Sequence, residues 1–194
     1  MLISVKRKVP ANWASALVNR DASGLTPDEA EKAFAWEREQ GFGEAVSAED
    51  HTYIESFQGF TTETCSYAFL VKVPIDEVVV PAYLEAAMFT DGGPDHPDID
   101  AGEFAPESIL KAKTDCVQFI SDNIDLVLAA VSRVGYDYAS LAHDLWLTRN
   151  GHGTGFWDRR ELEEGDLGNQ LSMAARALPP LTLELDDKGN LHLL

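Results

Sequence analysis

The sequence predicts an α+β fold of two small modules, with amphipathic helices packed on small antiparallel sheets. Three observations carry that reading. Capped helix signals with apolar residues every three or four positions recur along the chain, short β-branched and aromatic runs separate them, and the charge balance changes near residue 75. Residues 1–74 hold 11 acids and 7 bases, whereas residues 75–194 hold 22 acids and 8 bases. Pro74 and Pro81 bracket an apolar stretch at this change, so we divide the chain into an N-terminal module, 1–74, and an acidic C-terminal module, 75–194. The alternative is one continuous domain with a strand at the joint, because Val78, Val79 and Val80 are β-branched.

In the first module a short helix over residues 12–19 precedes a stronger one. In Leu25-Thr26-Pro27-Asp28-Glu29, Thr26 can cap the first turn, Pro27 has the φ that turn needs, and Glu29 closes a capping box. Ala30, Ala33, Phe34 and Trp36, with Leu25, give this helix an apolar side as far as residue 40, where Gly41 and Gly43 supply a stop. His51, Tyr53, Ile54, Phe57 and Phe60, then residues 66–73, read as strands of a small sheet.

In the second module residues 83–89 read as helix and lead into TDGGPDHPDIDAGEF, a stretch too rich in Gly, Pro and Asp for regular structure. Pro106 and Glu107 open a helix with apolar positions Ile109, Ala112, Cys116, Phe119 and Ile120, continued through residues 124–131. A further helix starts near Asp137 and buries Tyr138, Leu141, Ala142 and Leu145. The run LTRNGHGTGFWDR, residues 147–159, then forces a turn with three glycines in five residues. Leu167, Leu171, Ala174, Ala175 and Leu178 mark another helix, stopped by Pro179-Pro180. Residues 181–185 and 191–194 flank Asp186-Asp187-Lys188-Gly189-Asn190 as a hairpin.

Composition bounds the function. The chain has 194 residues, 45% of them hydrophobic, enough for a real core, and 15 Lys plus Arg against 33 Asp plus Glu give a net charge of −18. Nucleic acid and anionic membranes repel such a surface, so direct binding to either is not expected, while basic partners are. There is no apolar run of 18 residues, and the N-terminal stretch loses its apolar character after Val5, so a cytoplasmic location is expected. Cys65 and Cys116 fit neither a disulfide framework nor a zinc site. No Walker loop, GxGxxG or GxSxG is present, and Lys6-Arg7-Lys8 is too short for a nucleic-acid footprint, so no cofactor is expected.

Two groups of residues carry candidate chemistry. The motif loop gathers Arg149, Asn150, His152, Asp158 and Arg159 beside glycines, an arrangement that lets backbone amides and polar side chains converge on one point. An enzymatic reading makes His152 the general base or a metal ligand, has Asp158 orient it, and lets Arg149 or Arg159 hold an anionic substrate. His143, His152 and Asp158 are the weak candidate metal set. The structural alternative is that residues 150–155 form a tight loop, Phe156 and Trp157 anchor it in the core, and Asp158 pairs with Arg149 or Arg159.

The second group is the carboxylates. Asp91, Asp95, Asp98, Asp100 and Glu103 are not an EF-hand, because counting from Asp98 puts Glu103 at the glycine position and Ile109 at the final glutamate position. With Glu161, Glu163 and Glu164 they suit the presentation of negative charge to a basic partner. Spaced carboxylates on one side of a fold resemble the charge repeat of duplex DNA, about one per 1.7 Å of axis.

Residues 80–194, through Tyr83-Leu84-Glu85-Ala86-Ala87, the acidic loop, Asp115-Cys116 and the run from His143 to Arg159, resemble a family of small acidic proteins encoded by bacteriophages and other mobile elements. Residues 9–74 are similar to a different set of short phage-encoded proteins through Asp21-Ala22-Ser23-Gly24-Leu25-Thr26 and Glu49-Asp50-His51-Thr52-Tyr53. The resemblance carries no catalytic residues over. It implies a genetic context in which accessory proteins act on host machinery, including restriction and CRISPR defences. The expected function is therefore a non-catalytic accessory protein, a DNA mimic that binds and inhibits a host protein with a basic nucleic-acid-binding surface. The alternatives are the small enzyme centred on His152 and a structural or assembly accessory, for which an extensive exposed apolar patch is the sign.

Overall fold

The computed structural model describes residues 1–40, 45–57, 60–92, 99 and 101–194, and its fold is α+β. The chain divides into two compact units, Met1–Val73 and Pro74–Leu194.

In the first unit, β1 (Leu2–Pro10) leads into α1 (Ala11–Asn19) and α2 (Pro27–Gln40), followed by the long strands β2 (Ala45–Phe57) and β3 (Phe60–Lys72). The sheet order is β1-β3-β2, antiparallel throughout, with Leu2 opposite Lys72 and Pro10 opposite Thr64. Ile3, Val5 and Val9 turn to the core on alternate positions of β1, and Ala14, Ala16, Leu17, Ala33, Val71 and Val73 meet them there. The capping box at the start of α2 is formed reciprocally: the Glu29 N–H donates to Thr26 Oγ1 at 3.3 Å, and the Thr26 N–H donates to Glu29 Oε2 at 2.9 Å.

The second unit opens on a π-helical turn, Ile75–Val79, running into α3 (Val80–Asp91). The β-branched valines at the joint are thus helical. Ile75, Val79 and Val80 are buried, and that packing overrides their strand preference. Then follow β4 (Glu103–Phe104), α4 (Pro106–Asp122), α5 (Ile124–Val131), α6 (Tyr138–Arg149), three short 3-10 turns spanning residues 156–166, α7 (Leu167–Arg176), β5 (Leu183–Leu185) and β6 (Asn190–Leu193). Asn123 separates α4 from α5, its side chain donating to the Phe119 carbonyl at 2.9 Å.

Four expectations are corrected here. The second sheet, of order β4-β6-β5, is mixed rather than antiparallel, because β4 runs parallel to β6 with Phe104 opposite Leu191. Regular structure accordingly reaches into the stretch read as irregular, at Glu103–Phe104. Ile109, assigned to the apolar stripe of α4, is 43% exposed, whereas Ala112, Cys116, Phe119 and Ile120 are buried. On α6, Tyr138 is only half-buried, and the buried set includes the polar Asp144, Thr148 and Arg149 beside Leu141, Ala142, Leu145 and Trp146.

The core of this unit is aromatic at its centre. Tyr83 and Trp146 meet edge to face with centroids 5.2 Å apart, and Phe119 stacks on Phe156 at 6.0 Å. The hairpin β5–β6 turns on Asp186, whose carboxylate accepts from the backbone N–H groups of Lys188 and Asn190 at 2.8 Å each.

Candidate functional site

Helix α6 begins where Asp137 accepts the Ser140 N–H at 2.8 Å, and it ends in the motif loop. Its last turn carries Arg149 into the interior, because the helix is buried on more than one face. The guanidinium donates from Nε to the Pro179 carbonyl at 2.6 Å, and from Nη1 to the Tyr83 hydroxyl at 2.9 Å and to Asp115 at 2.7 Å. Burial opposes the charge on Arg149, but Tyr83 and Asp115 outweigh it and leave its pKa raised. The Tyr83 hydroxyl is pushed well up by burial, and the neighbouring Cys116 thiol is pushed up to about 12 by the same cause.

The next residues are tied down one by one. Asn150 donates to the Trp146 carbonyl at 3.0 Å and accepts the Leu181 N–H at 2.7 Å, joining the helix end to the approach of β5. Thr148 Oγ1 accepts the Phe156 N–H at 3.2 Å, which closes the glycine loop and seats Phe156 in the core. Asp158 does not pair with either arginine. It accepts the Gly155 N–H at 3.0 Å and the Thr154 hydroxyl at 2.7 Å, capping the 3-10 turn Phe156–Asp158, because an Asp three residues past the turn's start can reach back to it.

Arg159 instead meets Asp144. The carboxylate receives Nε at 2.9 Å on both oxygens and Nη2 at 2.6 Å, with the Tyr136 hydroxyl donating at 2.9 Å from the other side. This forked contact holds the Arg159 pKa above its ordinary value. Burial, followed by the adjoining Asp144 charge, drives the Tyr136 hydroxyl strongly upward. Asp144, Tyr136, Asp115 and Tyr83 are thus the partners that the sequence reading missed. The available signal was a carboxylate at Asp144 within an apolar helix stretch, which demands a buried cation.

The two histidines are held apart. His143 lies 3.6 Å from Glu85 in a groove of about 270 Å³ with Phe89, Leu147 and Arg159. His152, whose backbone N–H donates to the Leu147 carbonyl at 2.9 Å, lines a separate cleft of about 520 Å³ with Thr90, Asp91, Trp146 and Asn150. Asp158 gives its oxygens to the turn, so the set His143, His152 and Asp158 does not assemble. Among the described residues no three His, Cys, Asp or Glu side chains group to hold a metal. Likewise Asp158 does not orient His152, and Arg149 is not open to a substrate.

Of the acidic candidates, Asp95, Asp98 and Asp100 lie outside the described residues. Asp91 is half-buried at the end of α3, Glu103 is exposed on β4, and Glu161, Glu163 and Glu164 are exposed on the successive 3-10 turns. Glu164 pairs with Arg133. Among the described residues no helix is long and apolar enough to cross a membrane.

No family model, curated protein or solved structure matches the chain.

Proposed function

We propose that this chain is a non-catalytic accessory protein of a phage or other mobile element. It binds and inhibits a host nucleic-acid-binding or defence complex in the host cytoplasm, offering its carboxylates as a decoy for the phosphate backbone. One observation carries the reading. Glu161, Glu163 and Asp166 are exposed, with Glu164 paired to Arg133 and the exposed Arg160 beside them, along turns whose apolar residues Phe156, Leu162 and Leu167 are buried, so a net negative row stands on an anchored backbone. The principal arginines of the motif are paired, the buried Arg149 with Asp115 and the part-exposed Arg159 with Asp144. Charge presented this way loses little conformational freedom on binding, and it steers a basic partner. The enzymatic reading has no comparable support, since every polar motif residue except His152 is engaged in holding the loop.

The test uses the full chain immobilised against host lysate at about 50 mM and about 200 mM salt, with duplex DNA as competitor. The expected result is capture of a nucleic-acid-binding protein that is released by duplex DNA, is weaker at the higher salt, and is lost when Glu161, Glu163 and Glu164 are all changed to Gln. Capture that the triple variant retains at low salt, or that DNA does not compete, overturns the reading.

A further inference from the structure

His152 is the one polar residue of the motif whose side chain the fold does not use. Its imidazole makes no hydrogen bond among the described residues, yet its backbone is fixed by the N–H bond to Leu147, which holds it at the wall of the 520 Å³ cleft. That volume falls within the range of about 300–1,000 Å³ typical of small-molecule sites and exceeds the needs of bound water. The walls have a definite chemistry. Ile99, Leu181 and Leu183 supply apolar surface. The Trp146 indole N–H donates to the Thr90 hydroxyl at 2.9 Å, and Thr90 in turn donates to carbonyls of its own helix, so this side of the cleft is rigid and its polar atoms are satisfied.

The electrostatics have one sign. Among the described residues lining the cleft, the ionisable ones are Asp91 and His152, and Asp91 has no ion-pair partner there. The C-terminal turns of both α3 and α6 border the cavity, through Thr90 and Asp91 on one and Trp146 and Asn150 on the other. The last carbonyls of α6 are taken up by the N–H groups of Asn150, Gly151 and His152, so the end of α3 is the one that adds partial negative charge. Arg149, the cation on the last turn of α6, directs its guanidinium to Asp115, Tyr83 and Pro179, and is not among the lining residues.

From this we infer that the cleft is a binding site for an organic cation, an alkylammonium or guanidinium group on an aliphatic stem. The charge lies at Asp91 on the end of α3, His152 supplies a hydrogen bond, and the stem packs on Leu181 and Leu183. The site is independent of the acidic row on residues 161–166. The same chemistry arises from a free amine or from a Lys or Arg side chain within a peptide, and the test separates the two.

The full chain, labelled with nitrogen-15, is titrated with agmatine and with acetyl-Leu-Arg-Leu-amide, using n-hexanol and hexanoate as neutral and anionic controls. Saturable shifts of the Trp146 indole N–H and the His152 ring resonances are expected with the cations only. Tighter binding of agmatine assigns the free ligand, and tighter binding of the peptide assigns the side chain. Asp91→Asn should weaken binding by about tenfold or more, as loss of a charged hydrogen-bond partner does. His152→Ala should weaken it less, and the Glu161, Glu163, Glu164 triple Gln variant should bind as the parent does. The absence of a saturable shift with either cation, equal binding of hexanol or hexanoate, or an Asp91→Asn variant that binds unchanged overturns the assignment. None of these results bears on capture by the acidic row.

Discussion

Arg159 holds both oxygens of Asp144, yet the two partners sit in different surroundings: the Asp144 side chain is fully buried, while that of Arg159 is 37% exposed. Removing Arg159 leaves a carboxylate in the core with only the Tyr136 hydroxyl as donor. Removing the charge of Asp144 leaves a guanidinium that still reaches water. Arg159→Met is therefore expected to cost about 3–5 kcal/mol and Asp144→Asn about 1–3 kcal/mol, read from urea denaturation at constant m-value. If Asp144→Asn proves the costlier change, the pair is not arranged as described.

The glycines of the motif loop differ sharply in what they tolerate. Gly155 has φ +156°, and a Cβ there would lie 2.2 Å from Thr148 Oγ1 and 2.6 Å from the Trp157 ring. Gly155→Ala should lower stability by about 2–4 kcal/mol through overpacking and backbone strain. Gly153 faces open space, and Gly153→Ala should stay within about 0.5 kcal/mol. Thermal melts of the two variants side by side make the comparison, and equal midpoints would refute the close approach at Gly155.

Cys116 is fully buried on α4 with its thiol pushed up to about 12 by burial. Since the thiolate is the reactive form, iodoacetamide at pH 8 should leave the Cys116 peptide unmodified in the folded chain and label it completely in urea, as peptide mass spectrometry would report. Labelling at equal rates in both conditions would contradict the packing.

Stability should fall on the acid side. Ser140 holds the Asp137 carboxyl below the usual range, and Asn190, with His192, holds Asp186 well below it. A carboxyl whose folded pKa is depressed contributes fully above its unfolded pKa of about 3.9, and that contribution is lost as pH drops toward the folded value. The unfolding temperature should therefore be insensitive to these groups from pH 7 to about 5 and should decline below about 4. Joint replacement Asp137→Asn and Asp186→Asn should flatten the decline, and an unchanged acid slope would count against the two contacts.

What the sequence disclosed was the local part. The Thr26–Glu29 box, the Asp137 cap, the Pro106 helix start and the Asp186 hairpin each depend on residues within a few positions, and each forms. The parts that stayed hidden depend on distance. Asp144 resembles any polar helix position until Tyr136 and Arg159 close on it, and Arg149 finds Asp115 34 residues away. The parallel pairing of β4 with β6 joins segments that no hairpin rule connects. The valines at 78–80 carry a strand preference that the burial of Val79 and Val80 in helical backbone overrides. The motif loop was legible as a tight turn, but the division of labour among its charged residues was not.

The central position of β3 in the first sheet has a consequence for biosynthesis. β1 pairs with β3, Leu2 with Lys72 and Pro10 with Thr64, so its ladder partner is made more than fifty residues later. At the usual ~5–20 residues per second, the nascent β1 waits some seconds with Ile3, Val5 and Val9 uncovered. The β2–β3 ribbon, joined across the short connection from Phe57 to Phe60, is the piece that can zip first, with β1 recruited to its free edge. A pause in synthesis after β1 has left the ribosome but before β3 has followed it would thus leave a sticky, strand-forming tail, and slow codons that pause the chain there would raise aggregation more than the same codons read once all three strands are free.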